Sequence, residues 1–159
     1  MTRNRLAIYL NDHLAGATGG LELARRTAGA NAGTEFGETL EQLAKEIAED
    51  REALRRVMDE LEIGQDRVKV AGGWAAEKFG RLKLNGQLTG YSPLSRLIEL
   101  EGLHVGITGK LELWRMLNTT VGPRLRRVDL EELIKRAESQ RRRLTPLRKA
   151  AAEQAFSAG

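Results

Sequence analysis

The sequence predicts an all-α fold, a four-helix bundle forming one domain over residues 1–159, and three observations lead there. Aromatic residues are 4% of the chain against 41% hydrophobic overall, so the core has to be built from Leu, Ala, Ile and Val, which suits packed helices. Four long stretches repeat apolar residues three and four positions apart, the period of one helix face. Breaks rich in Gly, Asn and Pro separate those stretches. A chain of 159 residues buries roughly two-thirds of its unfolded surface on folding, enough for a single core.

Thr2 to about Ala30 is the first helix, with Leu6, Leu10, Leu14, Leu21, Ala24 and Ala28 on its stripe and His13 in the middle of it. Ala15, Gly16, Ala17, Gly19 and Gly20 form a small-residue section that admits another backbone closely. Gly29 to Thr34 is a short connection, and Thr34 is the expected cap of the second helix. Phe36, Leu40, Leu43, Ile47, Leu54, Val57, Met58 and Leu61 trace the second stripe, with Asp50 in its central turn and Glu46 and Arg51 at its edges. Counted from the shared loop at about 1.5 Å per residue, His13 and Asp50 fall at one level.

Gly64 marks the expected end of the second helix. Asp66 to about Leu82 then carries Val70, Trp74, Ala75 and Phe79 at helical spacing, a short extra helix inside a long crossover, and Asn85-Gly86 and Gly90 supply turns. A connection of that length lets the third helix run parallel to the second.

Ser92-Pro93 opens the third helix, which reads to Asn118: the serine hydroxyl caps free N–H groups and proline at the first position loses no needed donor. Leu94, Leu97, Ile98, Val105 and Met116 share one face, and Glu101, His104, Thr108 and Glu112 fall among them as an inward polar ladder, with Glu99 on the outer face. Polar groups in an apolar layer cost several kcal/mol unless hydrogen-bonded, paired or metal-bound. Gly102, Gly106 and Gly109 gather on a neighbouring face as a packing surface. Gly122 and Pro123 then break the pattern, and Asp129 caps the last helix with Glu131 and Glu132 in its first turn. Its stripe is Leu130, Leu133, Ile134, Ala137, Leu144, Ala151 and Ala155, with Gln140 and Arg141 on or beside it, and Pro146 is expected to kink or interrupt it.

The chain has no cysteine, which excludes disulfides and thiolate chemistry and fits a reducing cytoplasm. It shows no signal-peptide pattern and no apolar run of membrane-spanning length, so no membrane partner is expected. The net charge is +4, unevenly placed: the second helix is acidic and the last basic, a complementarity that fits neighbouring helices or a homodimer. The basic residues are not interleaved with aromatic stacking groups, which argues against a nucleic-acid partner.

The helix count, the crossover and the inward carboxylates and histidines together resemble the ferritin-like superfamily. LNDHLAG (Leu10 to Gly16) looks like the first-helix start of bacterioferritin-type proteins, KEIAEDREAL (Lys45 to Leu54) is similar to their second helix, and Glu101 and His104 have the Glu-x-x-His spacing. The family's di-iron set takes a glutamate from each of two helices and a Glu-x-x-His pair from each of the others. Here Ala17 stands near the first glutamate's place, Glu46 and Glu49 have no histidine, the last helix offers Gln140 and Arg141, and the Glu-x-x-His lies on the third helix. The full set is absent. A reduced site of His13, Asp50, Glu101 and His104 would suit a divalent metal, iron, manganese or zinc, in an oxidoreductase. The leading reading is instead a buried polar network, in which Arg141 neutralises Glu101 or Asp50, inside a non-catalytic binding or interaction module that uses no cofactor.

Overall fold

The computed structural model describes residues 2–67 and 90–157. They form four long helices, α1 (Thr2–Ala30), α2 (Gly37–Glu60), α3 (Pro93–Thr120) and α4 (Leu130–Ser157), with a 3₁₀ turn at Gly122–Arg124 and no strand among the described residues. The expected extra helix over Asp66 to Leu82 falls, beyond Arg67, outside the described residues.

Several helix ends follow the sequence reading. The Ser92 side chain accepts a hydrogen bond from the Ser95 N–H with Pro93 at the first helical position, and Asp129 accepts from the Glu132 N–H at 3.0 Å. Others differ. Thr34 does not cap α2: its hydroxyl bonds the Asn31 carbonyl and the Phe36 N–H, closing the loop, and Phe36 takes the cap position without a side-chain bond. At the other end of α2 the left-handed residue is Glu62 (φ 54°), not Gly64. The Ile63 N–H reaches back to the Met58 carbonyl at 2.8 Å, which satisfies an orphan carbonyl of the last turn. Pro146 is accommodated inside a continuous α4, next to an exposed turn where the unpaired carbonyl can be hydrated.

Cross-helix bonds fix the directions. Thr18–Arg51 sets α1 against α2, Lys110–Gln140 and Arg115–Glu138 set α3 against α4, Arg26–Glu99 sets α1 against α3, and Glu46–Arg143 with Asp50–Gln140 sets α2 against α4. In each neighbouring pair the numbers rise on one helix as they fall on the other, so α1 and α4 run one way and α2 and α3 the other. The parallel α2 and α3 lie on a diagonal, as the long crossover allows.

The core falls into two apolar halves. Leu10, Leu14, Leu54, Val57, Leu111, Trp114, Leu117 and Ala137 fill one; Leu21, Phe36, Leu40, Leu43, Ile47, Leu100, Ile107 and Leu144 fill the other. Between them lies the level of Asp50, Lys110 and Gln140.

The register of α3 corrects the sequence reading. Its buried side is Leu97, Leu100, Leu103, Ile107, Leu111, Trp114 and Leu117, while Leu94, Val105 and Met116, expected inside, are 45%, 60% and 48% exposed. Glu101 and Glu112 are exposed, His104 and Thr108 half-buried, and Glu99, expected outside, is buried. The helix is apolar around much of its circumference, so two stripes compete; the one richer in leucine wins, and the charged groups on its side, Glu99 and Lys110, are each paired across the bundle with Arg26 and Asp50.

Candidate functional site

The polar cluster of the bundle centre begins with Asp50, 2% exposed in the middle of α2. Its Oδ1 accepts from Arg136 through Nε at 2.8 Å and Nη2 at 2.6 Å. Its Oδ2 accepts from the Lys110 ammonium at 2.5 Å and from Gln140 Nε2 at 2.9 Å. Gln140, fully buried on α4, uses both ends of its amide: Oε1 takes a second Lys110 bond at 2.6 Å and Nε2 also reaches Glu46 at 3.2 Å. Arg143 closes on Glu46 at 2.5 Å, and Arg136 extends to Glu49 at 2.9 Å. Carboxylates 46, 49 and 50 thus meet cations 110, 136 and 143, and the cluster is neutral.

Helix geometry explains the arrangement. Lys110 sits between Ile107 and Leu111 and Trp114 on the buried side of α3, and Gln140 lies between Ala137 and Leu144 on α4, so both project inward at helical spacing. The seam between α2 and α4 is bridged by long side chains: Arg136 and Gln140 reach the short Asp50, and Arg143 reaches Glu46. Burial pushes the Lys110 ammonium below the usual lysine range, while Asp50 pulls the other way and favours its charge. Asp50 has two donors on each oxygen. No lone pair is left over for a substrate proton or a metal, and the ammonium already supplies the cation that a carboxylate in this layer requires.

A second cluster closes the end of the bundle where α1 meets α3. Glu99, 6% exposed, accepts from Arg26 at 2.9 Å and from the Tyr91 hydroxyl at 3.1 Å. Tyr91 in turn accepts from Asn31 at 2.8 Å, and Arg96 donates to the Asn31 carbonyl oxygen of the side chain and lies 4.5 Å over the Phe36 ring. Burial pushes the Tyr91 hydroxyl up to about 12, so it stays a donor to Glu99.

The four metal candidates are not brought together. Thr18–Arg51 sets the α1–α2 register and puts His13 about 9 Å, at 1.5 Å per residue, from the level of Asp50; the loop-centred count misses this because the register is centred between Thr34 and Glu35 rather than at Ala32. His13 packs edge-on to Tyr9 with ring centroids 4.6 Å apart, and burial, against Asp12, lowers its basicity. Glu101 points outward to Arg148 at 3.2 Å. His104 has its basicity lowered by burial and then by Arg148 and Arg141. Among the described residues no group of three or more His, Asp and Glu side chains is placed to hold a metal ion. The arginines that neutralise Asp50 and Glu101 are Arg136 and Arg148 rather than Arg141. Lys110, Arg136 and Arg143 escape the sequence reading, although Lys110 has a legible signal as a charge inside an apolar stripe.

The charge match between α2 and α4 is made within one chain by Glu46–Arg143 and Glu49–Arg136, and the Glu60 carboxylate accepts from the backbone N–H groups of Arg126 and Arg127 ahead of α4. The chain matches no family model, no curated protein and no solved structure. No described helix is long and apolar enough to cross a membrane.

Proposed function

We propose that this chain is a non-catalytic, ferritin-like binding module of the cytoplasm, in which an internal ion-pair layer occupies the position where that superfamily holds its metals. The observation that carries this reading is the saturation of Asp50 by Lys110, Arg136 and Gln140. A carboxylate with four donors is a structural anchor, not a base or a ligand. The run of helix directions, with α2 and α3 parallel, supports the superfamily resemblance.

With the centre closed, the module acts through its surface, and the outer side of α3 offers one. Leu94, Val105 and Met116 repeat every third turn there, and Gly106 and Gly109 beside them have open space where a Cβ would stand. Glu101 and Glu112 are drawn aside by Arg148 and Arg115. A second copy is the partner proposed for this face. Sedimentation velocity on metal-analysed protein tests both halves. A dimer that Val105→Glu converts to monomer, with no stoichiometric metal in either, is the expected result; bound iron, manganese or zinc at one per chain contradicts the closed centre, and a wild-type monomer at all concentrations contradicts the surface.

A further inference from the structure

The seam between α3 and α4 changes character along its outer edge. The bonds Glu101–Arg148 and Lys110–Gln140 fix its register, and counting between them puts His104 of α3 level with Thr145 of α4. Arg141 then lies about one turn to one side of that level and Arg148 about one turn to the other. Seven residues make two turns, so both arginines stand on one face of α4, and their side chains are long enough to meet over His104. The seam is open to solvent here: Glu101 and Thr145 are exposed, and the Arg148 side chain keeps 28% of its surface.

Donors outnumber acceptors in this stretch. His104 Nδ1 is buried and bonded to nothing, as is Arg148 Nε. Among the described residues Arg141 makes no side-chain hydrogen bond or ion pair, and Glu101 takes a single Arg148 bond at 3.2 Å. The Thr108 and Thr145 hydroxyls donate to the His104 and Arg141 carbonyls on their own helices, so they bring no charge to the seam. Further along, the balance is the opposite, with Arg115 between Glu112 and Glu138. Burial and then both arginines lower the basicity of His104, against Glu101, so its ring is neutral and the stretch carries two cations to one anion. Its Nδ1 has two guanidinium groups as neighbours and accepts from neither. A neutral ring can carry its proton there, and what that N–H lacks is an acceptor.

We propose that this stretch of the α3–α4 seam binds a phosphoryl group, held by Arg141 and Arg148 on either side of the His104 Nδ1–H. A guanidinium fork matches two phosphate oxygens at once, and a tetrahedral dianion presents oxygens to both forks and to the ring together. It also supplies the missing negative charge. Nothing has to be displaced, since Arg141 is unengaged and Glu101 holds Arg148 through one nitrogen. The site goes beyond the surface reading above and depends neither on the closed centre nor on a second copy.

Titration of the full chain with inorganic phosphate at constant ionic strength, followed by NMR of the histidine ring protons, tests the site. The chain has two histidines, so the His104 signal should shift along a saturable one-site curve while that of His13, on α1, stays. Arg141→Gln should weaken binding by at least about tenfold; it has no partner to lose, and an unchanged thermal melt checks that it folds. Arg142→Gln, an exposed neighbour, should change binding less than about twofold, because a charge off the site acts only through a screened field. Glycerol phosphate separates the sources: tighter binding than phosphate assigns the site to the phosphoryl group of a larger molecule, equal or weaker binding to the free ion. The proposal is overturned if the His104 signal does not move, if acetate moves it at the same concentration as phosphate, or if Arg142→Gln weakens binding as much as Arg141→Gln.

Discussion

Two buried carboxylates, Asp50 at the bundle centre and Glu99 where α1 meets α3, solve the same problem differently. Both are almost wholly out of water. Asp50 draws its donors from α3 and α4, and Lys110, the closest of them, is itself buried, so anion and cation depend on each other. Glu99 draws on Arg26, a cation that reaches solvent, and on the neutral Tyr91 hydroxyl. The charge at Asp50 is locked between helices, and that at Glu99 is fastened at an edge. The difference teaches that burial of the carboxylate alone does not set its energetic weight; burial of the partner does.

Removing Asp50 is the hardest blow to this comparison. Asp50→Ala leaves Lys110 without its carboxylate in the core and should cost about 3 to 5 kcal/mol, read by urea unfolding; a loss below about 1 kcal/mol would place the two carboxylates on equal footing. Glu99→Ala should cost less, roughly 1.5 to 3 kcal/mol for hydrogen bonds to a charged group, because Arg26 turns to water and Tyr91 stays bonded to Asn31. The acid side of the stability profile gives a smaller effect. His13 and His104 are both held below the ordinary value of 6.5, so below that pH the unfolded chain takes up protons the folded one resists. Stability should fall as pH drops below 6.5 and be level above it, and His13→Gln should flatten that slope in thermal melts. Smallest of all is Glu101→Ala, an exposed pair with Arg148 worth about 0 to 1 kcal/mol. A larger loss at position 101 than at 99 would reverse the register of α3.

The sequence makes the helices, most of their caps and the parallel course of α2 and α3 legible, because each follows from local spacing or loop length. Gln140 on the stripe of α4 and Asp50 in the stripe of α2 were likewise readable as inward polar residues. The face of α3 was not. Leu100, Leu103, Ile107, Leu111 and Trp114 compete with Leu94, Ile98, Val105 and Met116 on one helix, with Leu97 buried as expected, and a reading drawn to Glu101 and His104 picks the less apolar stripe. The partners of Asp50 and Glu46 were hidden for another reason: Arg136 and Arg143 reach them through long side chains from the edge of α4, a span no periodicity records. The level of His13 was lost to a loop miscounted by a few residues, which the α1–α2 register then doubled.

The central claim, that the bundle centre is a closed ion-pair layer, is tested most directly by a double-mutant cycle on Asp50 and Lys110. Asp50→Leu and Lys110→Met alone should each be destabilising, the first because it strands the buried Lys110 ammonium and the second because it leaves Asp50 with Arg136 as its one cation, while the pair together should recover most of the loss; exchange of a buried ion pair for apolar groups is often neutral or stabilising by about 1 to 4 kcal/mol. Arg136 keeps Glu49 in either background. Urea unfolding of the four proteins should show a coupling energy well above 1 kcal/mol, and additive losses with no recovery in the double variant would contradict the account.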